Sequence, residues 1–265
     1  MTTDFTGTTA LITGASSGLG AEFAIAFARR GADVVLVARR EARLRELAER
    51  IEREHGVRAT PIALDLAQPD AHTALRAALH DRGIRIQTLV NNAGFGVKGA
   101  FVESDAGRIA EMVQLNIASL VAITREFLPD LVADGRGALV NVASVAAYQP
   151  CPDMAVYGAS KSFVLNYTEA LAHETRASSL RVLALSPGAT STEFFDVVGT
   201  RDAAVGRFQT PEQVVALTMR RLDRRRPPAS VVSGRANALT STLVRFMPRS
   251  LALAVSGRVL AEPAR

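Results

Sequence analysis

The chain has 265 residues, 48% of them hydrophobic, which is enough apolar material for one large α/β domain. Its single cysteine, Cys151, excludes an internal disulfide framework, and the histidines at 55, 72, 80 and 173 stand apart from any cysteine or carboxylate at ligand spacing, so no metal site is expected. The net charge of +5 is concentrated at the C-terminal end, where residues 220–265 hold ten arginines against Asp223 and Glu262, while 5% aromatics and the lack of tryptophan argue against a nucleic-acid reader.

The first residues, Met1-Thr-Thr-Asp-Phe-Thr, lack the basic and apolar regions of a secretion signal, and no run of about 20 uncharged apolar residues occurs. Together with the lone cysteine this gives the expectation of a cytoplasmic protein.

In chain order, continuous Val/Leu-rich runs at 8–13, 33–38, 59–64, 86–91, 137–143, 180–186 and 229–233 read as strands buried on both faces, the pattern of a parallel sheet. Helical periodicity fills 18–30, 41–54, 70–82, 104–134, 153–177 and 211–225. Gly31 and Gly135 stand where helices end, and Thr210-Pro-Glu-Gln213 is a capping box. Seven strands alternating with helices, with no linker and no repeat, predict a single domain over 1–265. Its core is a doubly wound, mostly parallel seven-stranded sheet at 8–233.

The tail, 234–265, reads as two amphipathic helices split at Pro248. Leu239, Leu243, Phe246 and Met247 share one face, and Leu251, Val255 and Val259 share another. These faces are expected to pack on the domain or on a second subunit, giving a homo-oligomer. A peripheral membrane surface or an acidic acyl carrier is the alternative.

Three local patterns carry chemistry. First, strand 8–13 runs into Thr13-Gly-Ala-Ser-Ser-Gly-Leu-Gly20 and then a helix, with glycines at 14, 18 and 20. Glycine lets the backbone turn tightly and approach a diphosphate, which sits on the free N–H groups of a helix N-terminus. Second, the end of the second strand lacks the acid that would bond a ribose 2′-hydroxyl. Ala38 is followed by Arg39 and Arg40, a guanidinium pair suited to a 2′-phosphate, so NADP is expected.

Third, the chain has 29 arginines and only two lysines, Lys98 and Lys161, and Lys161 lies four residues after Tyr157. Chance would give about 0.02 such Tyr–Lys pairs. On a helix the two share a face. A cation about 4 Å away, at an effective dielectric near 20, would lower a phenol by about three pKa units, toward the range where an acid/base catalyst works.

With Asn91-Asn-Ala-Gly94, Asn116, Ser144 and Pro187-Gly188 in the same order along the chain, these motifs resemble the short-chain dehydrogenase/reductase family over roughly residues 8–233. The resemblance implies a Rossmann-like fold and hydride transfer between NADP(H) and a carbonyl or alcohol. Tyr157 would be the acid/base, Lys161 its activator and ribose ligand, Ser144 the holder of the substrate oxygen, and Asn116 the anchor of a water leading to Lys161. The cofactor would lie on Gly14, Ser16, Ser17, Gly18, Leu19 and Gly20, with Arg39 and Arg40 at its phosphate. Asp65 and Leu66 would meet the adenine, Asn92, Ala93 and Gly94 the adenosine ribose, and Pro187, Gly188 and Thr192 the nicotinamide end.

Two features depart from the resemblance: the glycine loop lacks the basic residue that some NADP-using members place before the middle glycine, so the NADP expectation rests on Arg39 and Arg40, and the usual Asp-Gly-Gly after the last strand is missing. The substrate walls would be Phe95, Val97, Val145, Tyr148, Cys151, Met154 and the loop 191–209 with Phe194, Phe195 and Phe208, which suits an apolar, medium-sized molecule. An NADPH-dependent carbonyl reductase or the reverse alcohol dehydrogenase is therefore expected. A silent NADP-binding sensor, or a peripheral membrane protein acting through its tail, are the alternatives.

Overall fold

The computed structural model describes residues 2–195 and 208–260. Seven strands form one sheet in the order β3-β2-β1-β4-β5-β6-β7: β1 (Thr9–Thr13), β2 (Asp33–Ala38), β3 (Ala59–Ala63), β4 (Thr88–Asn91), β5 (Ala138–Val142), β6 (Arg181–Ser186) and β7 (Ser230–Val232). Every pairing is parallel. Strand side chains alternate between two apolar layers, as a period of two requires. Ala10, Ile12, Val34 and Leu36 face α1 (Gly18–Ala28), α2 (Glu41–His55) and α7 (Pro211–Leu222). Leu11, Val35, Val37 and Leu89 face α3 (Ala71–His80), α5 (Leu120–Asp134) and α6 (Ala155–Glu174).

From β1 the chain winds outward to β3, then crosses back to β4 on the other side of β1. The loops leaving β1 and β4 therefore part, and a crevice opens at their carboxyl ends.

Most of the elements expected from sequence are present. The capping box at α7 forms fully: Thr210 Oγ1 accepts from the Gln213 amide at 3.4 Å, and Gln213 Oε1 accepts from the Thr210 amide at 3.1 Å. The helix expected over 104–134 is interrupted by a wider turn. It runs as α4 (Ala106–Val113), a π-helical segment Gln114–Ser119, then α5. That insertion rotates Asn116 into the interior, where it is 1% exposed. By length and composition alone Ala106–Asp134 could cross a membrane, yet Ile123, Phe127 and Leu131 pack it against the sheet.

The tail differs from expectation. It forms α8 (Arg235–Phe246) and α9 (Arg249–Leu260), split at Pro248 as read from the sequence. The faces that meet the domain, however, are small and polar: Ser241, Ala252 and Ser256 are buried. Leu239, Leu243, Leu251 and Val255 are exposed, and Phe246 is 83% exposed. The expectation that the leucine stripe packs on the domain is thus corrected. Small side chains let the helices approach closely, and bulky ones are left outside. The side chain of Val259 lies outside the described residues. Asn237 Nδ2 donating to the Ser233 carbonyl at 2.9 Å, and Arg245 stacked 5.3 Å from the Tyr148 ring centre, fix α8 in place.

One glycine before β5 shows how tightly the sheet is drawn. A Cβ on Gly137 would lie 1.7 Å from the Gln87 carbonyl oxygen, whereas one on Gly56, at φ +68°, would meet nothing. Gly137→Ala should therefore destabilise the fold by more than about 2 kcal/mol through a backbone clash. Gly56→Ala should cost only about 1 kcal/mol of left-handed strain. Urea unfolding of the two variants measures the difference, and similar losses would contradict it.

Candidate active site

The glycine loop is shaped by two left-handed residues, Gly14 at φ +66° and Gly18 at φ +56°. Ser17, the residue before α1, makes no side-chain cap bond, so the first amides of α1 stay open to the crevice. Gly20 has a different task from its neighbours. A Cβ there would lie 2.2 Å from the Gly14 carbonyl oxygen, so Gly20 lets α1 pack close to β1 and does not itself line the crevice.

Beside the loop, Thr13 Oγ1 accepts from the amides of Asn92 at 2.9 Å and Ala93 at 3.0 Å, and donates to the Val90 carbonyl at 3.2 Å. Asn92 Nδ2 returns a bond to the Thr13 carbonyl at 3.0 Å. Thr13 was not singled out from sequence, although its place at the end of the first strand, one residue before Gly14, was the available signal.

Ser144 follows β5 and caps the 3-10 turn Val145–Tyr148, its Oγ accepting from the Ala146 amide at 3.1 Å. Tyr157 and Lys161 are one turn apart on α6 and both are buried, at 8% and 6% exposure. Burial pushes the Tyr157 phenol up to about 12, against a smaller lowering from the Ser144 hydroxyl. Burial pulls the Lys161 ammonium down to about 8. Lys161 Nζ donates to the Val142 carbonyl at 2.8 Å and lies 5.9 Å from the Tyr157 ring centre. The lowering of the phenol toward neutrality expected from sequence is therefore not present in this structure: the ammonium is engaged elsewhere and desolvation dominates.

Asn116 acts from behind the cavity wall. Its Oδ1 accepts from the Phe95 amide at 3.1 Å, and its Nδ2 donates to the Phe95 carbonyl at 2.9 Å and to Ser160 Oγ at 3.2 Å. The amide group thereby ties the loop after β4 to α6. Gly94 is what permits this approach, since a Cβ there would lie 2.8 Å from Asn116 Oδ1 and 3.5 Å from Lys161 Nζ.

On the opposite rim, Arg40 donates to Ser16 Oγ from Nε at 3.1 Å and Nη2 at 2.9 Å, and to Ser17 Oγ at 2.8 Å. Its Nη1 reaches Glu193 Oε2 at 2.7 Å, and Arg43 binds the other oxygen of the same carboxylate. Arg39 turns to Glu111, 3.4 Å away. Arg40 and Arg43, three residues apart at the start of α2, thus share the Glu193 carboxylate, while Arg39 and Arg40 are the two guanidiniums on the cavity wall.

The glycine loop and Tyr157 open onto one cavity of about 610 Å³. Of the residues expected at the site, Gly14, Ser16, Ser17, Gly18, Leu19, Arg39, Arg40, Asp65, Leu66, Asn92, Ala93, Gly94, Ser144, Tyr157, Lys161, Pro187, Gly188 and Thr192 line it, whereas Gly20 and Asn116 stand behind it. Phe95, Val145, Tyr148, Cys151, Met154, Phe194 and Phe195 form the apolar end; Val97 and Phe208 do not reach it. Residues 196–207 of the expected substrate loop lie outside the described residues.

Sequence reading missed Arg108, Gln149, Asn237, Thr240 and Ser241 on the wall. The last three come from α8, and a signal for them existed. A segment that leaves the carboxyl end of a parallel strand beside the crevice must pass over it. Gly188 makes room for this roof, since a Cβ there would lie 2.1 Å from Asn237 Nδ2.

The geometry fits a dinucleotide: a backbone-lined glycine cradle, an open helix N-terminus, a guanidinium at one end and a buried Ser-Tyr-Lys group at the other. Comparisons with known proteins agree. The short chain dehydrogenase family model matches residues 8–202. Sulfoacetaldehyde reductase 2 of Chromohalobacter salexigens is 39% identical over 186 residues, covering 69% of this chain and 73% of that protein. A short-chain dehydrogenase of Sphingobium yanoikuyae in complex with NADPH superposes with a TM-score of 0.79 at 36% identity, over 91% of this chain and 94% of that one. The bulky-bulky ketone specific alcohol dehydrogenase of Comamonas testosteroni does so with a TM-score of 0.75 at 32% identity, over 91% and 93%. The chain belongs to the short-chain dehydrogenase family. It is accordingly an oxidoreductase of a family that binds a nicotinamide cofactor.

Burial of Lys161 has a consequence for stability. The folded chain releases this proton near pH 8, the unfolded one near 10.5. Between those values the unfolded state holds the extra proton, so this group's contribution to stability rises with pH, and below pH 8 the buried charge costs about 3 kcal/mol. Lys161→Met should be more stable than the native chain at pH 7 by roughly 1–3 kcal/mol, after the lost bond to Val142 is set against the gain. The advantage should vanish near pH 10. Thermal unfolding from pH 6.5 to 10.5 measures it, and a constant difference across that range would refute the assignment of the effect to Lys161.

Proposed function

We propose that the protein is an NADP(H)-dependent oxidoreductase that interconverts a ketone and a secondary alcohol on an apolar, medium-sized substrate. The observation that carries this reading is the meeting of Ser144, Tyr157 and Lys161 with the glycine cradle in one cavity. The cofactor, when bound, supplies or accepts the hydride.

The chain's own groups manage the proton. Tyr157, buried and neutral, donates at the carbonyl oxygen, which Ser144 holds by its hydroxyl. Lys161, still cationic at pH 7, faces the phenolate that remains. Its Nζ lies 5.9 Å from the Tyr157 ring centre, near enough for that attraction to favour the ionised product. Asn116 holds Phe95 and Ser160 in register, so the loop bearing Gly94 stays beside Lys161.

The choice of NADP is supported by Arg40 at the rim and by the NADPH found in the Sphingobium yanoikuyae relative. An apolar substrate with bulk on both sides of the carbonyl is supported by the wall of Phe95, Met154, Phe194 and Phe195, and by the ketone specificity in the Comamonas testosteroni relative's name.

In a fluorescence titration NADPH should bind at least ten-fold more tightly than NADH, about 1.4 kcal/mol; equal affinities would remove the NADP assignment. Tyr157→Phe should lower turnover by on the order of 10² or more with little change in cofactor affinity. Lys161→Arg should be crippled as well, because a guanidinium fork does not fit the site of a compact ammonium. Steady-state rates on ketones, 3-oxoacyl thioesters and steroids, followed by NADPH oxidation, test both variants and the substrate class. Near-native activity in either variant would overturn the mechanism.

A further inference from the structure

Glu193 stands in an unusual place for a carboxylate. It lies in the segment after β6, on the substrate side of the cavity, yet its two oxygens are taken by Arg40 and Arg43 at the cofactor rim. Arg40 is at the same time bonded to both serine hydroxyls of the glycine loop. On either side of Glu193 the segment touches both ends of the crevice. Thr192 lies over Gly18, where a Cβ would approach its Cγ2 to 3.0 Å, and the Phe194 ring is 5.4 Å from that of Tyr157. The two guanidiniums hold the Glu193 carboxyl down to about 2, so it is ionised at every working pH.

A guanidinium fork accepts carboxylate and phosphate by the same geometry. Resting on the NADP reading above, we propose that Glu193 is a specificity-determining residue: its carboxylate, backed by Arg43, occupies the clamp at Arg40 on the cavity wall that a cofactor 2′-phosphate would take, and the phosphate must displace it.

Several consequences follow from the charges. A 2′-phosphate carries more negative charge than the carboxylate and wins the clamp, but the displaced ion pair is subtracted from its affinity. A ribose 2′-hydroxyl is neutral, leaves the ion pair standing and loses nothing. Native Glu193 therefore narrows the preference for NADPH over NADH. The pair is partly solvent-exposed, at 43% for Arg40 and 40% for Glu193, so the effect is limited to several-fold.

The test is a fluorescence titration of NADPH and NADH against the native chain, Glu193→Gln and Glu193→Asp. Thermal melts serve to show that each variant folds. Glu193→Gln should bind NADPH about five-fold more tightly than the native chain, with NADH unchanged within two-fold, and Glu193→Asp should stay near the native values. The gain should shrink as salt is raised, since the ion pair it removes is screened. Unchanged NADPH affinity would make Glu193 a mere surface contact, and weaker binding of both cofactors would make it a clasp for the bound state. Either result overturns the proposal. The same titration separates this idea from the NADP assignment. A native chain that prefers NADH, with NADPH affinity gained in Glu193→Gln, fails the assignment and keeps the proposal. A native preference for NADPH that Glu193→Gln leaves unaltered does the reverse.

Discussion

The site hangs from one buried hydroxyl. Thr13 Oγ1 draws in the amides of Asn92 and Ala93 while giving its own proton to Val90, so the exits of β1 and β4 are locked together where the sheet changes winding direction. From there the order is transmitted outward by backbone. Gly14 and Gly18 turn the chain over the exit of β1, and Gly94 brings the exit of β4 against Asn116 and Lys161. Buried polar groups are costly unless satisfied, and every bond named here has main chain on at least one side. Such bonding fixes positions to within hydrogen-bond tolerance, which acid/base chemistry requires.

A second polar seam lies behind the first. Asn91 and Asn141 pair across the β4–β5 register; Asn91 Nδ2 also donates to Thr124 on α5, and Asn141 Nδ2 donates to Thr168 on α6. An apolar layer would bury more surface, but it would specify the lateral position of the helices less sharply. Here α5 and α6 are pinned to particular strand residues, and α6 carries Tyr157 and Lys161. The buried phenol and ammonium then accept a desolvation penalty in the free protein, the usual conflict between a stable interior and a reactive one.

The strands and the helices between them were readable because a parallel sheet buried on both faces leaves uninterrupted Val/Leu runs, as at 33–38 and 180–186. The cavity lining was readable because its chemistry depends on residue type at fixed spacing, as with Tyr157 and Lys161. Periodicity failed in the tail. It assumes that the most apolar face is the buried one, and α8 buries Ser241 while exposing Leu239 and Leu243. Pairing at the rim was also beyond reach. Arg40 finds Glu193 only through three-dimensional proximity, since 153 residues separate the acid from the base. Asn116 was legible as a residue, but its bonds to Phe95 and Ser160 were not, because the wider π-helical turn that aims it leaves no mark in composition.

The roof of the cavity comes from outside the β/α repeat. Asn237, Thr240 and Ser241 follow the last strand, and the sheet would close without them. Part of the chamber's wall therefore lies on a segment apart from the Ser144, Tyr157 and Lys161 group. Exchange of the single helix α8 would redraw the shape and polarity of that roof while the Ser144, Tyr157 and Lys161 group stays in place. The sheet and the chamber's lid are in this sense separable parts of one chain.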